Sequence, residues 1–187
     1  RFKVEELTYK GIRFYFIDNP YYFDRDKLYG FGDDGERFAF FSKAALECLP
    51  HIGFKPDILH CHDWHAALVP LLRRDVYSWF DYYGSMKSVL TIHNLKHQGI
   101  CAYSFFDDVL GLIGNRPAWE KMESEGVLNF FKAGLLAADL VTTVSPSYAE
   151  EIKQPYYGEK LDWILRYRQE DLYGILNGID TEKFNPM

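Results

Sequence analysis

Along this chain the spacing of apolar positions changes several times, and each change marks an element. Residues 11–17 are β-branched and aromatic and stop at Asp18-Asn19-Pro20, which predicts a strand. Residues 21–35 mix aromatics and charges with Gly30, Gly32 and Gly35, too irregular for a core element and long enough to be a functional loop. From Glu36 the spacing turns helical: Phe38, Phe41, Ala45, Cys48 and Leu49 fall on one face, and Pro50 is expected to stop the helix.

The run Asp57-Ile58-Leu59-His60-Cys61-His62-Asp63-Trp64-His65 starts apolar and ends polar, the pattern of a buried strand opening into a site. Asp63 is expected to cap a helix whose stripe is Trp64, Leu68, Leu71 and Leu72 and which ends at Arg73-Arg74. Residues 88–92 form the next strand and run into His93-Asn94. Beyond Gly111, Gly114 and Pro117, residues 127–138 have helical spacing through Leu128, Phe131 and Leu135, and residues 140–144 are a third buried strand. Ser145-Pro146-Ser147 opens another helix, with Ser147 and Glu150 spaced as a capping box. A helix over 160–167 and a strand over 173–176, turning at Asn177-Gly178, complete the series.

Strands alternate with helices, and they lack the polar alternation of a half-exposed antiparallel sheet. The expected fold class is therefore α/β, one Rossmann-like domain over residues 1–187 with a parallel sheet and helices on both faces.

Composition narrows the function. The 187 residues are 48% hydrophobic and 18% aromatic, enough for a substantial core, and the aromatic excess serves packing first. A net charge of -6 without a basic stripe argues against a nucleic-acid partner. Three unpaired-looking cysteines (Cys48, Cys61 and Cys101) fit a reducing compartment. No run reaches the roughly 20 apolar residues of a membrane span, so a soluble, cytosolic protein without membrane association is expected. The chain opens on Arg1 rather than Met, and an upstream segment is expected to have been removed.

In an open α/β sheet, ligands bind outside the carboxyl ends of the strands. Here those ends carry His60-Cys61-His62-Asp63, His93-Asn94, Ser145 and Asn177-Gly178. Two chemistries fit. Imidazole and carboxylate suit zinc, with His93 and His97 as further ligands, but the metallohydrolase order H-x-H-x-D-H is not met: Asp63 comes one place early. Alternatively, Asp63 accepts from sugar hydroxyls, neutral histidines donate or accept, and Asn94, Gln98 and Asn177 do both. Trp64 and the loop tyrosines offer flat faces to a sugar ring, although packing is the stronger reading of Trp64.

Four blocks carry a resemblance: Pro56 to Ala66, then Thr91-Ile92-His93-Asn94-Leu95-Lys96-His97-Gln98-Gly99, then Leu140 to Ala149, then Leu176-Asn177-Gly178-Ile179-Asp180. Together, in this order and spacing, they resemble bacterial glycogen synthase and plant starch synthase. His97 departs from the aromatic residue, usually Tyr, that the family shows there. The resemblance implies the N-terminal half of a GT-B glycosyltransferase that moves glucose from ADP-glucose to the non-reducing end of an α-1,4-glucan with retention, without metal or other cofactor. It implies Asp63 and His93 as catalytic residues and His65, Asn94, Gln98 and Asn177 as substrate-binding residues. It also implies a glycine-rich lysine loop upstream of Arg1 and a nucleotide-binding domain downstream of Met187, after a linker beginning near Asn185-Pro186, so the chain alone is expected to be inactive. The location would be the cytoplasm of a bacterium or the plastid of a plant. A histidine-cluster metallohydrolase and a non-catalytic α-glucan-binding module remain as alternatives.

Overall fold

The computed structural model describes residues 1–185; Pro186 of the expected linker start lies outside the described residues. The chain opens with an antiparallel hairpin of β1 (Lys3–Tyr9) and β2 (Ile12–Asp18). Lys10 and Gly11 join them with φ of 50° and 78°, the two positive values that a tight hairpin turn of matching twist requires. The strand expected over 11–17 is therefore present but does not belong to the parallel sheet. Its partner β1 gave no sequence signal.

A short helix α1 (Pro20–Phe23) leads through the glycine-bearing loop to α2 (Asp34–His51). The buried face of α2 runs through Ala39, Ser42, Leu46 and Leu49, while Phe38, Phe41 and Ala45 are only half-buried. Pro50 sits inside the helix rather than ending it. Lacking an N–H, Pro50 leaves the Leu46 carbonyl without its helical donor, and the buried Tyr83 hydroxyl donates to that oxygen instead at 3.1 Å.

The centre is a four-stranded parallel sheet of β3 (Ile58–His62), β4 (Lys87–Ile92), β8 (Leu140–Thr143) and β9 (Leu172–Gly174), in the order β3-β4-β8-β9. Between β3 and β4 lie a 3-10 turn (Trp64–Ala66), α3 (Leu68–Asp75) and α4 (Asp81–Gly84). Between β4 and β8 the chain forms β5 (Ile100–Cys101), α5 (Ser104–Asp108), α6 (Arg116–Met122), β6 (Glu123–Ser124), β7 (Val127–Asn129) and α7 (Phe130–Ala137). Strands β5, β7 and β6 make a small antiparallel sheet, so the first three residues of the helix expected over 127–138 are strand. The Asn129 side chain then caps α7 by accepting from the Lys132 N–H at 2.9 Å.

After β8 come α8 (Pro146–Glu151) and α9 (Asp162–Tyr167). The cap of α8 is Ser145, which accepts from the Tyr148 N–H at 3.0 Å, rather than a box built on Ser147.

Alternation along the strands sorts the two faces of the central sheet. Cys61, Leu90 and Val141 align in register and are buried beneath the helices; α7 comes so close that a Cβ on Gly134 would lie 2.8 Å from the Ala67 Cβ and 2.9 Å from Leu90 Cδ2. The opposite face leaves Ile58, Leu140 and Tyr173 exposed by 59%, 39% and 51%. Helices on both faces were expected; among the described residues this second face is open. At the amino edge, Asp139 ties β8 to β4 and α3, accepting from the buried Arg73 at 2.7 Å and from the Ser88 N–H and hydroxyl at 2.8 and 3.0 Å. No helix among the described residues is long and apolar enough to cross a membrane.

Candidate active site at the carboxyl edge of the sheet

The carboxyl ends of β3 and β4 are joined by side chains. Asp63 follows β3 with φ 55° and ψ -172°, a backbone region that essentially only glycine occupies without strain. Its own N–H donates to the Thr91 carbonyl at 2.9 Å, extending the parallel ladder by one residue. Its carboxylate Oδ1 accepts from the His93 N–H at 2.8 Å and from the Asn94 N–H at 3.2 Å. The expected role as a helix cap is thus corrected: the side chain makes no cap bond to the turn that follows and instead holds the exit of the next strand. Among the described residues no hydrogen bond reaches Oδ2, which is left to accept from a ligand.

The other end of the same peptide unit is also held. Thr143, buried at the end of β8, donates its hydroxyl to the Ile92 carbonyl at 2.9 Å. The Ile92–His93 peptide is therefore gripped through its oxygen by β8 and through its nitrogen by Asp63.

The histidines divide by strand position. His62 and His93 approach each other, Nδ1 to Nε2, at 3.0 Å. On the open face, His60 Nε2 meets the Thr91 hydroxyl at 2.7 Å, and that hydroxyl meets Thr142 Oγ1 at 2.7 Å. Burial, with the nearby His60 and His93, lowers the His62 pKa against the opposing pull of Asp63. Among the described residues no group of three or more His, Cys, Asp or Glu is arranged to hold a metal ion, so the metallohydrolase alternative lacks a ligand set there.

His65 turns the other way. Its ring packs on Trp64 and Phe38 at 4.5 and 4.6 Å and faces Tyr29 at 5.6 Å, and burial lowers its pKa with Asp63 and Asp34 opposing. His65, Tyr29, Leu28, Phe38 and Phe41 line a largely apolar cavity of about 650 Å³ between α2 and the loop before it. Tyr29 is one of the loop tyrosines expected to offer a flat face to a sugar ring; the structure brings its ring to His65. Trp64 is buried against Phe38 and Gly99, where an added Cβ would lie 2.4 Å from the indole, so it packs rather than presenting a free face.

The amide residues separate in the same way. Asn94 is exposed, and its side-chain oxygen accepts from the Lys96 N–H at 3.0 Å, leaving its amide N–H groups open to solvent. Gln98 is fully engaged: it donates to the Leu95 and Glu159 carbonyls at 3.1 and 2.9 Å and accepts from Asn129 Nδ2 at 2.6 Å. It braces the loop after β4. Exposed His97 and Lys96 line a second cavity of about 500 Å³ beside Trp64. Asn177, past the end of β9, is exposed on an irregular segment, and among the described residues no hydrogen bond joins it to Asp63 or His93.

The chain is similar to known proteins over almost its whole length. The starch synthase catalytic domain family matches residues 1–167. Glycogen synthase of Geobacillus thermodenitrificans is 53% identical over 183 residues, 98% of this chain and 38% of that protein. The Bacillus subtilis glycogen synthase is 51% identical over the same shares. The solved catalytic domain of starch synthase IV from Arabidopsis thaliana, bound to ADP and acarbose, superposes with a TM-score of 0.88 at 36% identity, over 99% of this chain and 38% of that one. The chain thus spans 38% of the length of these relatives. With the family matched over 167 of 187 residues, the chain belongs to the starch synthase catalytic domain family.

Proposed function

We propose that this chain is the acceptor-side half of a GT-B glucosyltransferase that transfers glucose from ADP-glucose to the non-reducing end of an α-1,4-glucan, with retention. One observation carries the reading. Asp63 and His93, from different strands and from two separate sequence blocks, are joined at a single site through the carboxylate and a backbone N–H. The ADP and acarbose held by the Arabidopsis neighbour support a nucleotide-sugar donor and a glucan acceptor.

Retaining transfer develops positive charge on the sugar and negative charge on the departing diphosphate. Asp63 fixes the exit of β4 with one oxygen and offers the other to a glucose hydroxyl; the His93 imidazole lies against the transferred sugar. Asn94 donates from its amide, His65 and Tyr29 bound the neighbouring cavity, and Asn177 approaches the donor from the end of β9. Gln98 acts on substrate through the loop it braces. The cations needed by the diphosphate belong to a second, nucleotide-binding domain, and the enzyme works in the cytoplasm of a bacterium or the plastid of a plant.

The test is transfer of labelled glucose from ADP-glucose to glycogen. The full-length enzyme should be active, Asp63→Ala and His93→Ala should each lower kcat by roughly 100-fold or more, and the 187-residue chain alone should transfer nothing. Transfer by the chain alone would overturn the assignment of the donor site to a second domain. Full activity in both variants would overturn the catalytic roles.

A further inference from the structure

His62 has no part in the reading above, yet its ring is in hydrogen-bond contact with the His93 imidazole. His62 ends β3 and His93 directly follows the parallel neighbour β4, and their rings lie 5.2 Å apart with an interplanar angle of 36°. A contact of 3.0 Å between Nδ1 of one and Nε2 of the other holds a single proton, so one ring donates and the other accepts. The tautomers of the two rings are consequently linked. If His62 donates, His93 carries its proton on Nδ1 and presents a donor there; if His93 donates, Nδ1 is an acceptor.

The His62 ring is itself held. It lies 4.4 Å from the His60 ring, and His60 is anchored through Thr91 to Thr142 across three strands. The groups facing His62 are His60 on its own strand, His93 from the exit of β4, and Asp63; burial and the two histidines keep it neutral near pH 7, able to donate or accept at Nδ1. A solvent-reached hydrogen bond between two side chains contributes little to stability.

We propose that His62 is a positioning residue for His93, fixing the tautomer and the orientation of the imidazole that meets the sugar. The inference rests on the glucosyltransferase reading for its consequence, but its geometry is measured separately. In His62→Asn the amide places a polar atom where Nδ1 stood, and in His62→Leu a carbon occupies the same place.

The experiment uses the full-length enzyme with ¹⁵N-labelled histidine. The wild-type His93 ring nitrogens should report one dominant tautomer, and His62→Leu should turn this into a mixture. In the same variant kcat should fall on the order of 10-fold or more, the loss typical when a histidine's orienting partner is removed, with the KM for glycogen and the melting temperature nearly unchanged. His62→Asn should restore most of kcat. A mixed His93 tautomer in the wild type would overturn the proposal without any variant. So would unchanged ¹⁵N shifts and kcat in His62→Leu, or a kcat loss that follows melting temperature and is not rescued by Asn. An inactive wild type with a locked His93 tautomer would instead refute the glucosyltransferase reading and leave the His62–His93 coupling standing.

Discussion

Replacing Asp63 separates two effects that its position combines. The carboxylate accepts two backbone N–H groups, from His93 and Asn94, while the backbone sits at φ 55° and ψ -172°. The site is half-exposed, so water replaces part of each lost bond, and about 1 kcal/mol per bond is the appropriate scale. Asp63→Ala loses both and keeps the strained backbone, a cost of roughly 2 kcal/mol, or about 4–8 °C in Tm for a domain of this size. Asp63→Gly loses the same bonds but releases strain worth about 1–3 kcal/mol, offset by about 0.5–1 kcal/mol of added chain entropy. It should therefore melt above Asp63→Ala by a few degrees. Asp63→Asn keeps an oxygen acceptor and a side chain that tolerates positive φ, and should melt close to the wild type.

Thermal denaturation followed by circular dichroism gives the ranking, and amide hydrogen exchange at His93 and Asn94 gives the cause. Both amides should lose protection in the Ala and Gly variants and keep it in Asn. An Asp63→Ala protein with wild-type Tm and wild-type protection would refute the clamp. A glycine variant less stable than the alanine variant would refute the strain.

Three further outcomes are expected. Burial works against the charge on Asp139, but hydrogen bonds from Ser88, Lys87 and the Arg73 charge outweigh it and hold the pKa below its ordinary value of 3.8. Its stabilisation is thus complete above about pH 4 and lost as pH falls through the lowered pKa; Asp139→Asn should flatten that part of a urea-midpoint against pH curve and cost about 1–3 kcal/mol at pH 7 by leaving Arg73 buried without its partner. Tyr83→Phe should cost about 1–2 kcal/mol by stranding the Leu46 carbonyl, and the cost should be smaller in a Pro50→Ala background, where the helix regains its own donor; additive effects in that double-mutant cycle would refute the substitution of one donor for the other. Gln98→Glu should lower the urea midpoint more than Gln98→Ala, because a carboxylate would face the Leu95 and Glu159 carbonyls, and equal midpoints would show that the brace is unimportant.

What could be read from the sequence was set by how local each cause is. The strands β3, β4 and β8 announce themselves because their inner residues are buried in an apolar layer, as Cys61, Leu90 and Val141 are. Strand β1 is charged and exposed, held only by pairing with β2 through a turn whose geometry depends on two positive φ values, and no apolar pattern marks it. On α2 the large aromatics drew the buried face toward Phe38 and Phe41, while the fully buried positions include the small Ala39 and Ser42. The site residues followed the same rule. That polar groups gather at strand ends was legible; that Asp63 caps a strand exit 30 residues away, rather than the helix beside it, was not, since local order favours the adjacent helix.

Side-chain bonds across neighbouring strands are what turn those strand ends into one site. Backbone pairing alone sets the register of β3, β4 and β8 but leaves the residue after each strand free to turn. At Ile92–His93 that freedom is removed from two sides, because the carbonyl is held by the Thr143 hydroxyl and the N–H by the Asp63 carboxylate. A single anchor would permit rotation of the peptide plane about it; two anchors, on opposite ends of a planar group, do not. The direction in which the His93 side chain leaves the backbone is therefore determined jointly by β3 and β8, and the contact with His62 determines its ring. This accounts for a strained, non-glycine residue at position 63: only a side chain there can reach the next strand, and glycine, which would suit the backbone, would release the peptide on which His93 is mounted.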